Sequence, residues 1–260
     1  MKIFLVTFGL CLADAISVNN KMGETVNFKK QQEKSETKLK SHHQVMICFD
    51  GDNFNGERFK TTDYIPDLKT TSFDKTISSC NVTGIWIFYD GVNYSASVTL
   101  WAFGYNFIKK IPEVFNNKAK SLRFVGAPDD WKASSLNLYS HENFTREEVF
   151  TYDDIPELKI EARSVIVTGC QPWTVYHESN YQGHSACIYP SDVKKCTPGL
   201  YPTPDRVEEF GTISSARRGC HIGAGPPIKT NLGDIWRDSA DGAYGLLCPE
   251  CNSSSFQKRQ

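Results

Sequence analysis

Residues 49–56 read F-D-G-D-N-F-N-G: an aromatic, a polar run with Asn53 at its fourth step, and a second aromatic. Three further segments line up with it without gaps. They are Y-D-G-V-N-Y-S-A from Tyr89, Y-S-H-E-N-F-T-R from Tyr139 and Y-H-E-S-N-Y-Q-G from Tyr176. Each predicts a folded hairpin. The first aromatic ends a strand, and the polar residues turn the chain where asparagine tolerates a positive φ. The second aromatic (Phe54, Tyr94, Phe144, Tyr181) then covers the turn. Gly56 and Gly183, two residues later, allow a backbone angle that a side chain opposes. Ala96 and Arg146 stand there in copies two and three, so those hairpins are expected to be strained or differently shaped.

Two more elements recur. Copies one to three carry T-D-Y-I-P-D-L, F-I-K-K-I-P-E-V and Y-D-D-I-P-E-L, where the residue before proline favours an extended backbone. A serine then leads into a strand: Ser79, Ser121, Ser164 and Ser215, whose hydroxyls are suited to tie hairpin to strand. They follow the first aromatics by 30, 32, 25 and 39 residues, the longest gap holding an insertion from Cys187. Short aromatic and β-branched runs broken by Gly, Asn, Asp and Pro indicate an all-β chain.

Repeated four times, aromatic-x4-aromatic-x-Gly followed by serine resembles the βγ-crystallin Greek key. The resemblance spans about residues 44–220 and implies two β-sandwich domains, 44–125 and 136–220. Each is built from a pair of motifs, with a linker at 126–135 (G-A-P-D-D-W-K-A-S-S) where few contacts need cross. The tail, 221–260, shows no strand period and is expected to pack on the second domain through Trp236 and Leu246 or to be loose. In a Greek key the strands of Cys48 and Cys80 are neighbours, so these two are expected to pair. Cys170 and Cys220 flank the fourth motif in the same way, and Cys187 and Cys196 bound its insertion. Cys248 and Cys251, in C-P-E-C, read as a structural disulfide within the tail or shared with another cysteine.

The N-terminus, M-K-I-F-L-V-T-F-G-L-C-L-A-D-A, has a basic start, a short apolar run and small residues at Ala13 and Ala15, the pattern of a signal peptide spanning residues 1–15. Cys11 leaves with it, and eight cysteines remain, an even number that suits disulfides in an exported chain. Residues 16–43 are polar and lack apolar anchors, so they read as a flexible arm or propeptide. Sequons at Asn81, Asn93, Asn143 and Asn252 are glycosylation candidates. Hydrophobic residues make up 40% and charged residues 23%, enough for a packed core. A net charge of −1 points to neither nucleic acid nor an anionic membrane. No further segment is long and apolar enough to span a bilayer.

Chemistry is sparse. Many βγ-crystallin domains hold calcium through N/D-N/D-x-x-S/T-S in each motif, and the ion wants several oxygen ligands. Motif one reads D-K-T-I-S-S (74–79) and motif two N-N-K-A-K-S (116–121). Asp74, Ser78 and Asn116 match, while Lys75 and Lys120 stand where an amide or carboxylate and a hydroxyl belong. Motif three, K-I-E-A-R-S, and motif four, F-G-T-I-S-S, lack the leading pair. At most weak calcium binding in the first domain is expected, and no cofactor is required. The six histidines form no catalytic or metal motif, and no phosphate loop or H-E-x-x-H is present. The sequence therefore reads as a secreted, non-enzymatic structural or binding protein whose partner is an unidentified extracellular protein or surface. The alternative is a defence or toxin-like effector (antimicrobial, protease inhibitor or pore-forming-toxin partner) acting through the Cys-bounded insertion.

Overall fold

Residues 42–203, 212–221, 225–228, 235–239 and 242–248 are described by a computed structural model. The expected leader, the arm up to residue 41, Cys251 and Asn252 lie outside the described residues. The all-β expectation holds: the short runs form strands joined by tight turns.

The first domain contains β1 (Val45–Phe49), β2 (Arg58–Thr61), β3 (Ser79–Tyr89), β4 (Thr99–Ile108) and β5 (Ser121–Phe124). β1 alternates, burying Met46 and Cys48. β3 does not alternate: its G-I-W-I-F-Y run is buried on both faces. Trp86 and Phe88 enter the first core, whereas Ile85, Ile87 and Tyr89 enter a second apolar cluster on the opposite side. β3 and β4 form one ribbon, registered from Cys80↔Ile108 to Tyr89↔Thr99. The start of β3 pairs with β1 and its end with β5, so the ribbon carries the chain from one layer to the other. The change of layer occurs at Gly84, where φ is 108° and a Cβ would strike the Gln44 side chain.

The second domain contains β6 (Leu136–Tyr139), β7 (Glu148–Thr151), β8 (Ser164–Val167), β9 (Trp173–Glu178), β10 (Gln182–Ile188), β11 (Gly199–Tyr201), β12 (Ser215–Arg218) and β13 (Gly225–Ile228). They form two separate sheets, ordered β11-β8-β6-β7 and β12-β9-β10-β13. Leu136, Leu138, Val165, Val167, Trp173 and Val175 fill the core between them.

Three expectations need correction. The tail does not settle on the second domain alone. β13 pairs with β10, but β14 (Ile235–Ser239) and β15 (Gly242–Leu247) extend the first domain's sheet, with β15 antiparallel to β4 from Gly242↔Gly104 to Leu247↔Thr99. The physical reason is alternation. Tyr244 and Leu246 face the first core, and Ala243 and Leu247 the second apolar cluster.

The linker is not a loosely attached segment either. The Gln44 carboxamide donates to Val125 O (2.5 Å) and Ala127 O (3.0 Å) and accepts from Ile85 N (2.8 Å). Trp131, within the linker, is buried in the apolar cluster between the domains. A linker that carries a tryptophan has apolar surface to bury, and here it does so.

The cysteines of the second domain pair differently from the expectation. Cys48 bridges to Cys80 across β1 and β3, but Cys170 bonds Cys196 and Cys187 bonds Cys220. Strand register explains both. β8 pairs Val167 with Gly199 of β11, and the same antiparallel register carried three residues on sets Cys170 opposite Cys196. Cys187 lies opposite Thr174, whose hydroxyl donates to Gly219 O (2.7 Å) and accepts from His221 N (3.1 Å), so Cys220 is held beside it. Cys248 is also disulfide-bonded.

Candidate functional site

The four hairpins share an aromatic pair, a left-handed asparagine and a serine tie. The two aromatics of each lie 5.7 Å apart, edge to face, in the pairs Phe49–Phe54, Tyr89–Tyr94, Tyr139–Phe144 and Tyr176–Tyr181. Asn53, Asn93, Asn143 and Asn180 all take the left-handed conformation, with φ between 51° and 57°. The serine does tie hairpin to strand. Each hydroxyl accepts from the second aromatic's N–H: Phe54 to Ser79 (2.9 Å), Tyr94 to Ser121 (3.1 Å), Phe144 to Ser164 (3.0 Å) and Tyr181 to Ser215 (3.0 Å). It then donates to a turn carbonyl, at Gly51, Gly91, His141 and Glu178. The asparagine N–H groups reach across to the partner motif: Asn53 to Lys109 O, Asn93 to Pro66 O, Asn143 to Pro202 O and Asn180 to Pro156 O. Copies one and two thus clasp each other, as do three and four.

At the position where copies one and four have glycine, Arg146 adopts φ 68°, a left-handed backbone for a side-chain-bearing residue. Ala96 is not forced into that region, so copy two is reshaped where copy three is strained.

The residues expected to hold a cation fall on two abutting loops. Lys75 N donates to Ala119 O (3.0 Å) and Asn117 N to Ile77 O (3.2 Å), so 74–78 and 116–120 lie side by side. The Ser78 hydroxyl donates to Asn117 Oδ1 (3.0 Å) and is committed there. Asp74 Oδ1, Thr76 Oγ1 and Asn116 Oδ1 are buried with no hydrogen-bond partner. Three orphaned hard oxygens suit a divalent cation in donor type. The set holds a single carboxylate, and Lys75 and Lys120 belong to the same two loops. Thr76 is a donor that the motif reading passed over, because its position there carries no residue preference. Of the sequon asparagines, Asn81 is half-buried within β3, Asn93 is exposed and Asn143 is half-buried.

A different cluster joins the domains. Ile85, Ile87, Tyr89, Trp101, Phe103, Val125 and Trp131 from the first domain and linker meet Tyr139, Phe144, Ile166 and Leu200 from the second. Full burial of side chains of this size is worth about 1.5–3 kcal/mol each. At its edge lies Arg123, 1% exposed. Its guanidinium donates to the Tyr89 hydroxyl (2.9 Å), Arg146 O (3.0 Å) and Phe144 O (2.8 Å). It pairs with Glu148 at 3.7 Å and lies over the rings of Tyr89, Tyr94 and Tyr139. The Tyr64 hydroxyl donates to Glu148 Oε2 (2.8 Å), and the Tyr89 hydroxyl to Phe144 O (2.7 Å). Burial works against the Arg123 charge, but Tyr89 and Glu148 more than offset it, so the arginine holds its proton more tightly than usual. Burial pushes Tyr64, Tyr89 and Tyr139 well above the ordinary phenol range. Sequence reasoning missed this cluster. Its one legible sign was the unbroken apolar run of β3, which leaves no face for solvent.

The beta/gamma crystallin family model matches residues 45–125. The chain carries a βγ-crystallin domain. Geodin, a beta-gamma crystallin from Geodia cydonium, is 19% identical and superposes with a TM-score of 0.52, covering 67% of this chain and 98% of its own. That likeness shows the fold. A beta gamma crystallin from Ciona intestinalis is 19% identical over 31% of this chain and 99% of its own, with a TM-score of 0.29. Protein S, solved complexed with calcium, is 16% identical over 67% of this chain and 98% of its own, with a TM-score of 0.29. No curated protein matches the sequence. Among the described residues no helix is long and apolar enough to cross a membrane, and no group of three His, Cys, Asp or Glu is placed to hold a metal.

Proposed function

We propose that this βγ-crystallin is exported and acts without chemistry of its own, as a rigid, disulfide-stapled structural and binding protein whose first domain takes up calcium weakly. The observation that carries the cation part is the set of orphaned oxygens on Asp74, Thr76 and Asn116. A buried polar atom without a partner costs about 1–3 kcal/mol, and a cation offsets that cost. Lys75 and Lys120 oppose the ion, and one carboxylate gives little charge to hold it. The affinity therefore belongs at the weak end for calcium, about 10⁻⁴–10⁻³ M. Export is supported by the leader-like start and by the disulfides, which persist in oxidising compartments.

Calorimetric titration of the intact chain with calcium tests the reading. Saturable heat in the range above is expected, with a rise in melting temperature and loss of both in Asp74→Asn. A flat titration with an unmoved melting temperature would remove calcium from the account. A secreted product that begins at Ile16 is the expected mature form, and one that keeps Met1 would count against export.

A further inference from the structure

We propose that the cleft between hairpins two and three is a binding site for a neutral saccharide. The cleft measures about 790 Å³ and lies where the first domain's Tyr64, Tyr94 and Arg123 face Arg146, Glu147 and Glu148 of the second. That volume is within the usual range for small-molecule sites, about 300–1,000 Å³.

Three features point to an occupant. Glu148 has a side chain only 8% exposed, and its Oε1 has no hydrogen-bond partner although Oε2 is engaged by Tyr64 and Arg123. A buried acceptor of this kind calls for a donor from outside the protein. Arg146 is the second feature. Its φ of 68° is strain that glycine avoids in copies one and four, and strain of this sort collects at ligand sites. Its side chain is exposed, lines the cleft and forms no ion pair among the described residues. The third feature is a pair of phenol rings. Tyr64 and Tyr94 line the same cleft, with centroids 6.0 Å apart and planes at 74°.

The chemistry selects the ligand. Arg123 and Arg146 balance Glu147 and Glu148, so the cleft has no net field to hold an anion or a cation. It offers unpaired acceptors and an unpaired donor beside aromatic surface. A sugar hydroxyl both donates and accepts. It can donate to the exposed Glu147 carboxylate and accept from the Arg146 guanidinium, while the C–H face of the ring lies on a tyrosine.

The intact chain is titrated by calorimetry and by saturation-transfer NMR with maltose, lactose and N,N′-diacetylchitobiose, alongside phosphocholine, sialic acid and lysine as charged comparators. At least one neutral disaccharide is expected to bind saturably. Arg146→Gly is expected to weaken that binding about tenfold or more while the melting temperature holds or rises, because glycine relaxes the strained backbone. Glu147→Gln, an exposed change, is expected to weaken binding at an unchanged melting temperature. Asp74→Asn leaves saccharide binding untouched, which separates this site from the cation loops. Silence from all three disaccharides overturns the proposal. So does binding confined to the charged compounds, and so does parent-like affinity in both Arg146→Gly and Glu147→Gln.

Discussion

The two domains solve the same folding problem in different ways. In the first, β3 and β4 run unbroken through both layers, one disulfide joins neighbouring strands, and β14 and β15 from the tail complete a seven-stranded sheet. In the second, the corresponding stretch is interrupted between β8 and β9, where Gly169 and Pro172 turn the chain, and two four-stranded sheets remain separate. Each of these sheets carries its own disulfide, Cys170–Cys196 continuing the β8–β11 register and Cys187–Cys220 lying beside β9 between β10 and the end of β12. The repeats thus specify the hairpins, and local departures decide whether the layers share one continuous ribbon or remain separate sheets, each stapled within itself. The two halves meet through the hairpins that lack glycine, so the least regular copies carry the contact.

The largest test of this comparison is Arg123→Ala. It leaves Glu148 buried without its cation and strips partners from the carbonyls of Phe144 and Arg146, a loss of about 3–5 kcal/mol. Because both domains share the guanidinium, calorimetry is expected to resolve two unfolding transitions in place of one. A single transition with stability within about 1 kcal/mol of the parent would show that the apolar cluster alone couples the domains.

Next in size are the bridges. Replacing Cys48 and Cys80 by alanine removes a crosslink of sequence separation 32. The chain-entropy account gives a cost of about 3–4 kcal/mol. Replacing Cys187 and Cys220 (separation 33) should cost as much in free energy. There, however, Cys170–Cys196 still staples the domain, so refolding after reduction-free thermal cycling should survive better. If the second-domain variant proves the less able to refold, covalent redundancy is not what the second bridge supplies.

The smallest test compares serines. Ser121→Ala and Ser215→Ala each leave a hairpin N–H and a turn carbonyl without their shared hydroxyl, about 1–2 kcal/mol in denaturant unfolding. The Ser121 change falls on the hairpin that faces the cleft and is expected to weaken the domain contact as well, whereas Ser215 acts within its own domain. Equal effects on inter-domain coupling would break that distinction.

The hairpins were legible because their chemistry is local. An aromatic pair, an asparagine at positive φ and a serine hydroxyl are all set within one copy, and the sequence spacing carries them. Cys48–Cys80 was legible for the same reason, since both residues abut marked positions of copy one. Cys170–Cys196 depends on β11, a three-residue strand inside an insertion that has no counterpart in the other copies, and Cys187–Cys220 on how β10 and the end of β12 lie about β9. Without the β11 register Cys196 has no visible partner. The tail was read as unperiodic because G-A-Y-G-L-L mixes glycine with apolar residues. Its alternation becomes apparent only when β4 offers an edge with one core on each side. The two loops that carry Asp74 and Asn116 were marked by a motif, but the motif's serine is already engaged by Asn117, and the orphaned Thr76 hydroxyl occupies a slot where any residue is allowed. Arg123 was hidden for a further reason: a charge between leucine and phenylalanine in a strand reads as solvent-facing, and only the domain contact buries it.

The tail strand also bears on how the protein is made. A ribosome delivers the first domain early, and most domains finish folding as they emerge. Here the edge of β4 stays open, with its unpaired backbone groups exposed, until residues 242–247 have been synthesised. A strand that follows the second domain therefore completes the sheet of the first. A stop codon just ahead of residue 242 would injure the first domain while leaving β6–β12 of its neighbour whole.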